Sequence, residues 1–314
     1  MDRELGTGRR VVVLGGTGSI GRHVCARLRR DGWTVLAVAR HATAVPDAGR
    51  FLRMDVAAAD VPRLTALLCD ERIGAVVNAT DGANTSDGWD HPAEHLIETN
   101  VRAVRRLVDA IAAVPWRPRL VHLGTIHEYG PVPPGVSVHE DAAPRPAGDY
   151  ARSKLGGSTA VLDAARSGRI DGVVLRLTNV TGPHPSPAGL PGKLLARARA
   201  AAGGERVGMG VADARRDFVD VRDVAAAVSR ALASTATGQA FNIGSGAAVP
   251  IADVIRALTE AAGLPEGALY DDGSAVRSVG GDWIQADVRR AADVLGWTPE
   301  HGLAESLRAM WRER

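Results

Sequence analysis

Tyr150 and Lys154 stand four residues apart in Tyr150-Ala151-Arg152-Ser153-Lys154. On a helix, such positions share one face, about one turn apart. A cation beside a phenol favours the phenolate and lowers the tyrosine pKa. The pair is therefore suited to exchanging a proton with a ketone oxygen near neutral pH. Chance also produces this spacing, but the chain has only two lysines and one of them is here. Upstream, the apolar run at 120–123 ends in Gly124-Thr125. Sites in open α/β sheets form at the carboxyl ends of strands. That places the Thr125 hydroxyl where it can hold a carbonyl or hydroxyl beside Tyr150.

A second constellation lies near the N-terminus. The apolar run at 11–14 leads into Gly15-Gly16-Thr17-Gly18-Ser19-Ile20-Gly21. Such a turn brings backbone N–H groups against a pyrophosphate at a helix N-terminus, where a Cβ would block the approach. Glycine-rich turns are common. The position between a first strand and a first helix makes this one a dinucleotide site, with Gly15, Gly18, Ser19, Ile20 and Gly21 as contacts. The second strand, at 34–39, should end near the adenosine ribose. A carboxylate there would accept from the 2′-OH and mark NAD, whereas a cation suits a 2′-phosphate. The strand ends in Arg40-His41, and Arg22 follows Gly21. NADP(H) is the expected cofactor and NAD the alternative, with Arg40 then a solvated loop charge. Asp55, with Val56 beside it, ends the next strand. Its carboxylate either meets the adenine amino group or caps the following turn.

These groups need a scaffold. Short apolar strands at 11–14, 34–39, 75–77 and 120–123 alternate with helical patterns at 61–70 and 93–113. That alternation argues a parallel sheet covered on both faces. After Tyr150 come a helix to about 166 and a strand at 172–177. A Pro- and Gly-rich loop spans 180–190. Helices at 193–202, 223–233, 251–262 and 303–311 and strands at 218–221 and 240–243 follow. The expected fold is α/β: a Rossmann-type doubly wound parallel sheet with a smaller, discontinuous C-terminal substrate domain. Residues 1–178 form the dinucleotide domain, with returning segments near 217–244, and 179–314 mainly the substrate domain.

The 314 residues are 45% hydrophobic and 24% charged, ordinary values for a globular protein. The net charge of +2 gives no pull toward nucleic acid or a membrane surface. Cys25 and Cys69 read as small buried hydrophobes, and neither a disulfide nor a metal site is expected. No apolar run approaches a membrane span or a signal-peptide core, so a cytoplasmic setting is expected.

Together, these motifs resemble the extended short-chain dehydrogenase/reductase family, in its branch acting on nucleotide-activated sugars. The resemblance covers nearly the whole chain. It rests on the glycine turn, on Thr125 with Tyr129-Gly130, and on Tyr150 through Lys154. It extends through Leu175-Arg176-Leu177-Thr178-Asn179-Val180-Thr181-Gly182-Pro183 and Arg216-Asp217-Phe218-Val219-Asp220-Val221-Arg222-Asp223-Val224. Phe241-Asn242-Ile243-Gly244-Ser245-Gly246 and Leu295-Gly296-Trp297-Thr298-Pro299 complete it.

The resemblance implies that Tyr150 is the general acid/base and that Thr125 bonds the reacting oxygen. Lys154 would bind the nicotinamide ribose and tune Tyr150. Asn78, Ala79, Thr80 and Asn100 would run along the cofactor. Asn179 and Arg216 would lie near the sugar or diphosphate, since a guanidinium pairs well with oxyanions. Arg216 in a salt bridge with Asp217 or Asp220 is the other reading. A homodimer is implied, built from helices at 93–113 and 150–166. The Leu96/Val104/Leu107/Ile111 face would serve it or pack on the sheet.

The departures narrow the chemistry. Where 4,6-dehydratases carry an Asp–Glu acid pair, this chain has Ile126 and His127. Ile126 cannot transfer a proton, so dehydration is not expected. His127 is either a second acid/base or hydrogen-bond donor, or pocket wall. His184 either touches the sugar or is an exposed loop residue. The stretch after the fourth strand, Asn78-Ala79-Thr80-Asp81-Gly82, is altered, and the loop at 81–90 is unfamiliar. An NADPH-dependent 4-ketoreductase of a dTDP-type 4-keto-6-deoxyhexose is expected, with an NAD-retaining nucleotide-sugar epimerase as the alternative.

Overall fold

Residues 9–42, 49–82, 92–274 and 281–313 are described by the computed structural model. Most of the loop at 81–90 falls outside them. The chain opens with β1 (Arg10–Leu14), α1 (Gly21–Arg30), β2 (Thr34–Ala39), β3 (Arg50–Arg53), α2 (Val61–Asp70) and β4 (Ala75–Asn78). Asp60 caps α2 by accepting from the Arg63 N–H at 2.9 Å, and Pro62 sits in the first turn, where no intrahelical donor is needed. Next come α3 (Ala93–Ile97), a π-helical turn at Glu98–Arg102, α4 (Ala103–Ala113) and β5 (Arg119–Thr125). A 3₁₀ turn at Ile126–Tyr129 precedes α5 (Gly148–Arg166) and β6 (Gly172–Leu177).

The second half contains β7 (Asn179–Thr181), α6 (Leu190–Ala201), β8 (Val207–Met209), β9 (Arg215–Arg216), β10 (Phe218–Asp220) and α7 (Val221–Ala233). It ends with β11 (Ala240–Ile243), β12 (Val249–Pro250), α8 (Ile251–Ala261), β13 (Leu269–Asp271), α9 (Arg289–Leu295) and α10 (Leu303–Arg312).

Seven strands form one sheet in the order β11-β6-β5-β4-β1-β2-β3, every pair parallel. This is the expected Rossmann-type doubly wound sheet. Side chains alternate across it, as the two-residue period of a strand requires. Val11 and Val13 face α1 and α7, while Val12 and Leu14 face α2, α4 and α5. A separate apolar cluster joins α6, α8 and α10 through Leu194, Leu258, Leu307 and Met310. Strand order reverses between β4 and β1, and in such sheets ligands bind in the crevice beyond the carboxyl ends at that point. The glycine turn after β1 and the residues after β4 meet there, with Thr125 at the end of the adjacent β5.

Several expectations need correction. The helix expected at 93–113 is interrupted by the π-turn. Gly157 of α5 packs so closely there that an added Cβ would stand 2.2 Å from the Asn100 carbonyl oxygen. The loop expected at 180–190 begins as strand β7. It pairs with β10 and is pinned by Thr181, whose hydroxyl lies 2.8 Å from that of Ser306. Strands of two or three residues and the seven-residue α9 carry too little periodicity to be read beforehand. Leu96, Val104, Leu107 and Ile111 are buried within the chain, so that face is not a dimer surface. Cys25 is buried as expected, but Cys69 is only half-buried. Among the described residues, no helix is long and apolar enough to cross a membrane, and no cluster of three His, Cys, Asp or Glu side chains could hold a metal.

Gly157→Ala should destabilise the protein. The gain in helix propensity, about 1 kcal/mol, is outweighed by the overpacking cost of about 1–3 kcal/mol expected where a backbone carbonyl must move. A fall in thermal unfolding midpoint is expected. An unchanged or higher midpoint would show that α5 and the π-turn separate freely.

Candidate active site

The glycine turn is held backbone to backbone. Gly15 and Gly16 N–H groups donate to the Val38 carbonyl at 2.8 and 3.1 Å, tying the turn to β2. Gly15 has a φ of +78°, and a Cβ on it would lie 2.6 Å from the Ala79 carbonyl oxygen. A Cβ on Gly21 would lie 2.1 Å from the Gly15 carbonyl oxygen. Any side chain at either place would push the turn, the exit of β4 and the start of α1 apart. The result is a helix N-terminus of the kind that takes a diphosphate. A cavity of about 190 Å³ opens beside it, lined by Gly18, Ser19, Ile20, Ala79, Thr80 and Lys154. These residues fit a bound dinucleotide.

The other candidate cofactor residues divide. Arg40 is exposed at the end of β2. Its carbonyl accepts from Arg53 Nε at 3.1 Å, and the Thr17 hydroxyl donates to the His41 carbonyl at 3.4 Å. The Arg40-His41 segment is thus tied to the glycine turn. Arg53, which the sequence reading passed over, adds a second cation on the same edge. Arg22 does not join them; its charge acts on His23 and His184, on the side of the loop that follows β7. Asp55 caps its own turn by accepting from the Ala57 N–H at 3.0 Å. The Val56 side chain is packed in the core. Asn78 is buried 3.1 Å from His122 Nδ1 and accepts from the Thr80 hydroxyl at 2.7 Å, so it shapes the strand exit. Asn100 donates to the Ser153 hydroxyl at 3.0 Å and accepts from the Gly82 N–H at 3.1 Å. It joins the π-turn, α5 and the segment after β4.

Thr125, Tyr150 and Lys154 converge on the same crevice. Lys154 is buried and donates to the Leu123 carbonyl at 2.8 Å. The Tyr150 hydroxyl donates to the Asp81 carboxylate at 2.9 Å. The expected lowering of the Tyr150 pKa is not found. Burial pushes it well above the usual phenol range, and the Asp81 and Glu128 charges push the same way. Neither Asp81 nor Glu128 was singled out beforehand. Asp81 lies in the segment noted as altered, and Glu128 in the run between Thr125 and Tyr129.

Glu128 has no exposed surface. It accepts from the Thr125 N–H at 3.0 Å, the Ser158 hydroxyl at 2.8 Å and Arg176 Nε at 2.8 Å. Arg176 lies 4.5 Å over the Tyr129 ring, whose hydroxyl donates to Asn242 at 2.9 Å. A Cβ on Gly124 would fall 2.5 Å from the Glu128 carboxylate, which explains the glycine before Thr125.

A larger cavity of about 1570 Å³ lies beyond, lined by Thr125, His127, Tyr150, Asn179, His184 and Arg216. Thr125 and Tyr150 line both cavities and mark where they meet. Burial, then the charge of Arg216, depress the His127 pKa to about 4, so its imidazole is neutral at pH 7. It is a hydrogen-bonding group there, not a standing acid. The Arg216 guanidinium is held by the Arg215 and Gly281 carbonyls. The alternative of a bridge to Asp217 or Asp220 does not match their partners. Asp217 accepts from the Ser245, Gly246 and Ala286 N–H groups, and Asp220 from Arg222. Asn179 donates to the Asp217 carbonyl at 3.0 Å. His184 sits 3.0 Å from the Glu313 carboxylate.

Residues 11–244 match the profile of the NAD-dependent epimerase/dehydratase family. The chain belongs to that family. It is 41% identical over 96% of its length to dTDP-6-deoxy-L-talose 4-dehydrogenase (NAD(P)(+)) of Kitasatospora kifunensis, covering 94% of that protein. Among solved structures it resembles MoeE5 in complex with UDP-glucuronic acid and NAD, with a TM-score of 0.81 and 31% identity, over 96% of this chain and 97% of that one. RMD from Pseudomonas aeruginosa complexed with NADPH aligns with a TM-score of 0.80 and 25% identity, over 97% of each chain. The chain is an NAD(P)-dependent enzyme of the nucleotide-sugar branch of the extended short-chain dehydrogenase/reductases.

Glu128→Ala should cost about 3–5 kcal/mol, because it strands the buried Arg176 guanidinium without its counter-charge. Chemical denaturation measures this. A loss below about 1 kcal/mol would mean that the pair does not support the Thr125 turn.

Proposed function

We propose that this protein is an NADPH-dependent reductase of a keto sugar, acting on a dTDP-linked 4-keto-6-deoxyhexose at C4. The meeting of the two cavities at Thr125 and Tyr150 carries this reading. A proton donor and a hydrogen-bonding hydroxyl stand where a cofactor on one side would face a large substrate on the other. The relative at 41% identity is named for redox chemistry at position 4 of a dTDP-6-deoxyhexose, and 4-keto reduction is the reverse of such a step.

When bound, the nicotinamide cofactor supplies the hydride. Gly15, Gly18, Ser19, Ile20 and Gly21 would hold its diphosphate, Ala79 and Thr80 would flank it, and Lys154 would hold the nicotinamide ribose. The Arg40 guanidinium would meet the 2′-phosphate. Tyr150 gives its phenolic proton to the ketone oxygen as that oxygen becomes an alkoxide. Thr125 donates a hydrogen bond to the same oxygen and polarises the carbonyl beforehand. Neutral His127 offers a further hydrogen bond from the sugar side. Arg216, and Asn179 near it, would meet the diphosphate or the sugar, with His184 at the rim. The acid pair that dehydratases carry directly after Thr125 is not formed here, because Ile126 is apolar and buried.

Titration of the purified protein with NADPH and NADH, followed by assay on 4-keto nucleotide sugars, tests the reading. NADPH oxidation coupled to loss of the ketone is expected. Tightly held NAD with no net turnover would replace it by epimerisation, the reaction that gives the family part of its name. Tyr150→Phe should lower turnover by about 10²–10⁴-fold and leave NADPH affinity nearly unchanged. Near-wild-type turnover would remove Tyr150 from the chemistry. Arg40→Asp should reverse the NADPH/NADH preference, and an unchanged ratio would reject the 2′-phosphate assignment.

A further inference from the structure

Tyr150 stands among several charged groups. Asp81, just past the end of β4, accepts the hydrogen bond from its hydroxyl at 2.9 Å. Glu128, in the 3₁₀ turn, acts on it through its charge, and Lys154 lies one turn along α5 with its ammonium on the Leu123 carbonyl at 2.8 Å. Arg216, Asp282 and neutral His127 line the same large cavity. Asp149 and Arg152, on the outer side of α5, pair with each other at 3.2 Å. The hydroxyl of the phenol is thus bonded to a carboxylate. The Y-x-x-x-K spacing alone would have suggested a cation.

We propose that Asp81 acts through Tyr150, holding the phenol protonated so that the resting site presents a proton donor to the incoming ketone. This deepens the ketoreductase reading and rests on it. A carboxylate hydrogen-bonded to a phenol places two negative charges side by side once the phenol ionises, which raises the cost of ionisation. Burial acts in the same direction. A weakly acidic phenol still suffices for reduction. Hydride addition turns the ketone oxygen into an alkoxide, which is a stronger base than a phenolate, so the O–H bond of Tyr150 breaks and the new alcohol O–H forms. The phenolate left behind is destabilised by Asp81 and regains a proton from solvent before the next turnover. Asp81 takes no part in the proton transfer. It is a positioning residue with an electrostatic role, and no bond to substrate is required of it.

The test reads the phenol directly and needs no substrate. Phenolate ultraviolet absorbance is followed against pH in wild type, Asp81→Asn and Asp81→Glu, with far-ultraviolet circular dichroism marking the folded range. The chain has three tyrosines, and the Tyr150→Phe protein, subtracted from each, isolates the Tyr150 signal. Asp81→Asn should lower the midpoint by about one unit or more, while Asp81→Glu, which keeps the charge, should stay near wild type. The alkaline limb of ketone reduction should move to lower pH by the same shift, since the acid form is then lost earlier. Coincident midpoints in wild type and Asp81→Asn would overturn the proposal. Asp81→Ser gives the same reading should the asparagine variant not fold. These outcomes are separate from the ketoreductase reading, which fails on a different result: intact wild type turning over no 4-keto nucleotide sugar.

Discussion

A carboxylate without exposed surface lies under the reactive hydroxyls of this protein. Glu128 draws together the Thr125 amide at the end of β5, Arg176 on β6 and Ser158 on α5. Three elements already packed on one another are thereby fixed in relative height at the end of the strands. An uncompensated charge in such a place costs several kcal/mol, so the carboxylate and the guanidinium are each tolerable only while the other is present. Gly124 follows from the same constraint, because any side chain there would collide with the carboxylate. The orientation of Thr125 toward the crevice is thus set from below, by groups that never meet a substrate.

A second constraint works from the side. The closeness of Gly157 to the Asn100 carbonyl brings α5 against the π-turn, and the Asn100 side chain then reaches both Ser153 and Gly82. Ser153 in turn donates to the Tyr150 carbonyl at 2.8 Å. The helix that carries Tyr150 and Lys154 is registered against the chain that carries Asp81. π-Turns recur at functional sites because they release a backbone group from the regular ladder. Here the turn places Asn100 between the helix and the segment after β4.

Much of this was legible in the sequence, and the exceptions share a physical cause. The sheet strands and amphipathic helices are long enough for their periodicity to show, and the glycine turn is marked by a backbone requirement that only glycine meets. Tyr150 and Lys154 announce themselves by spacing, and Thr125 by its strand end. Glu128 did not, because a buried carboxylate has no local signature; its partners are 30 and 48 residues away in sequence. The reading of Arg22 failed for a similar reason. Its position after Gly21 is local, but its charge acts on His184 in the loop that follows β7, more than a hundred residues on. Arg53 was hidden on a four-residue edge strand. The resemblance sets Asn100 along the cofactor, but its bonds to Ser153 and Gly82 have no local signature.

The electrostatics of Tyr150 show most clearly why spacing alone is a poor guide to chemistry. A lysine one turn away argues for an acidic phenol, and that argument holds only if the ammonium faces the ring oxygen. Here the ammonium is engaged by a backbone carbonyl, and the phenol faces a carboxylate. The consequence bears on which reaction the site is built to begin. Epimerisation at C4 must start by taking a proton from a hydroxyl, which needs a phenolate at rest. Reduction starts from a phenol. A tyrosine with Asp81 at hydrogen-bond distance is disposed to the phenol form, so the same geometry that defeats the expectation drawn from Lys154 suits the reduction proposed above.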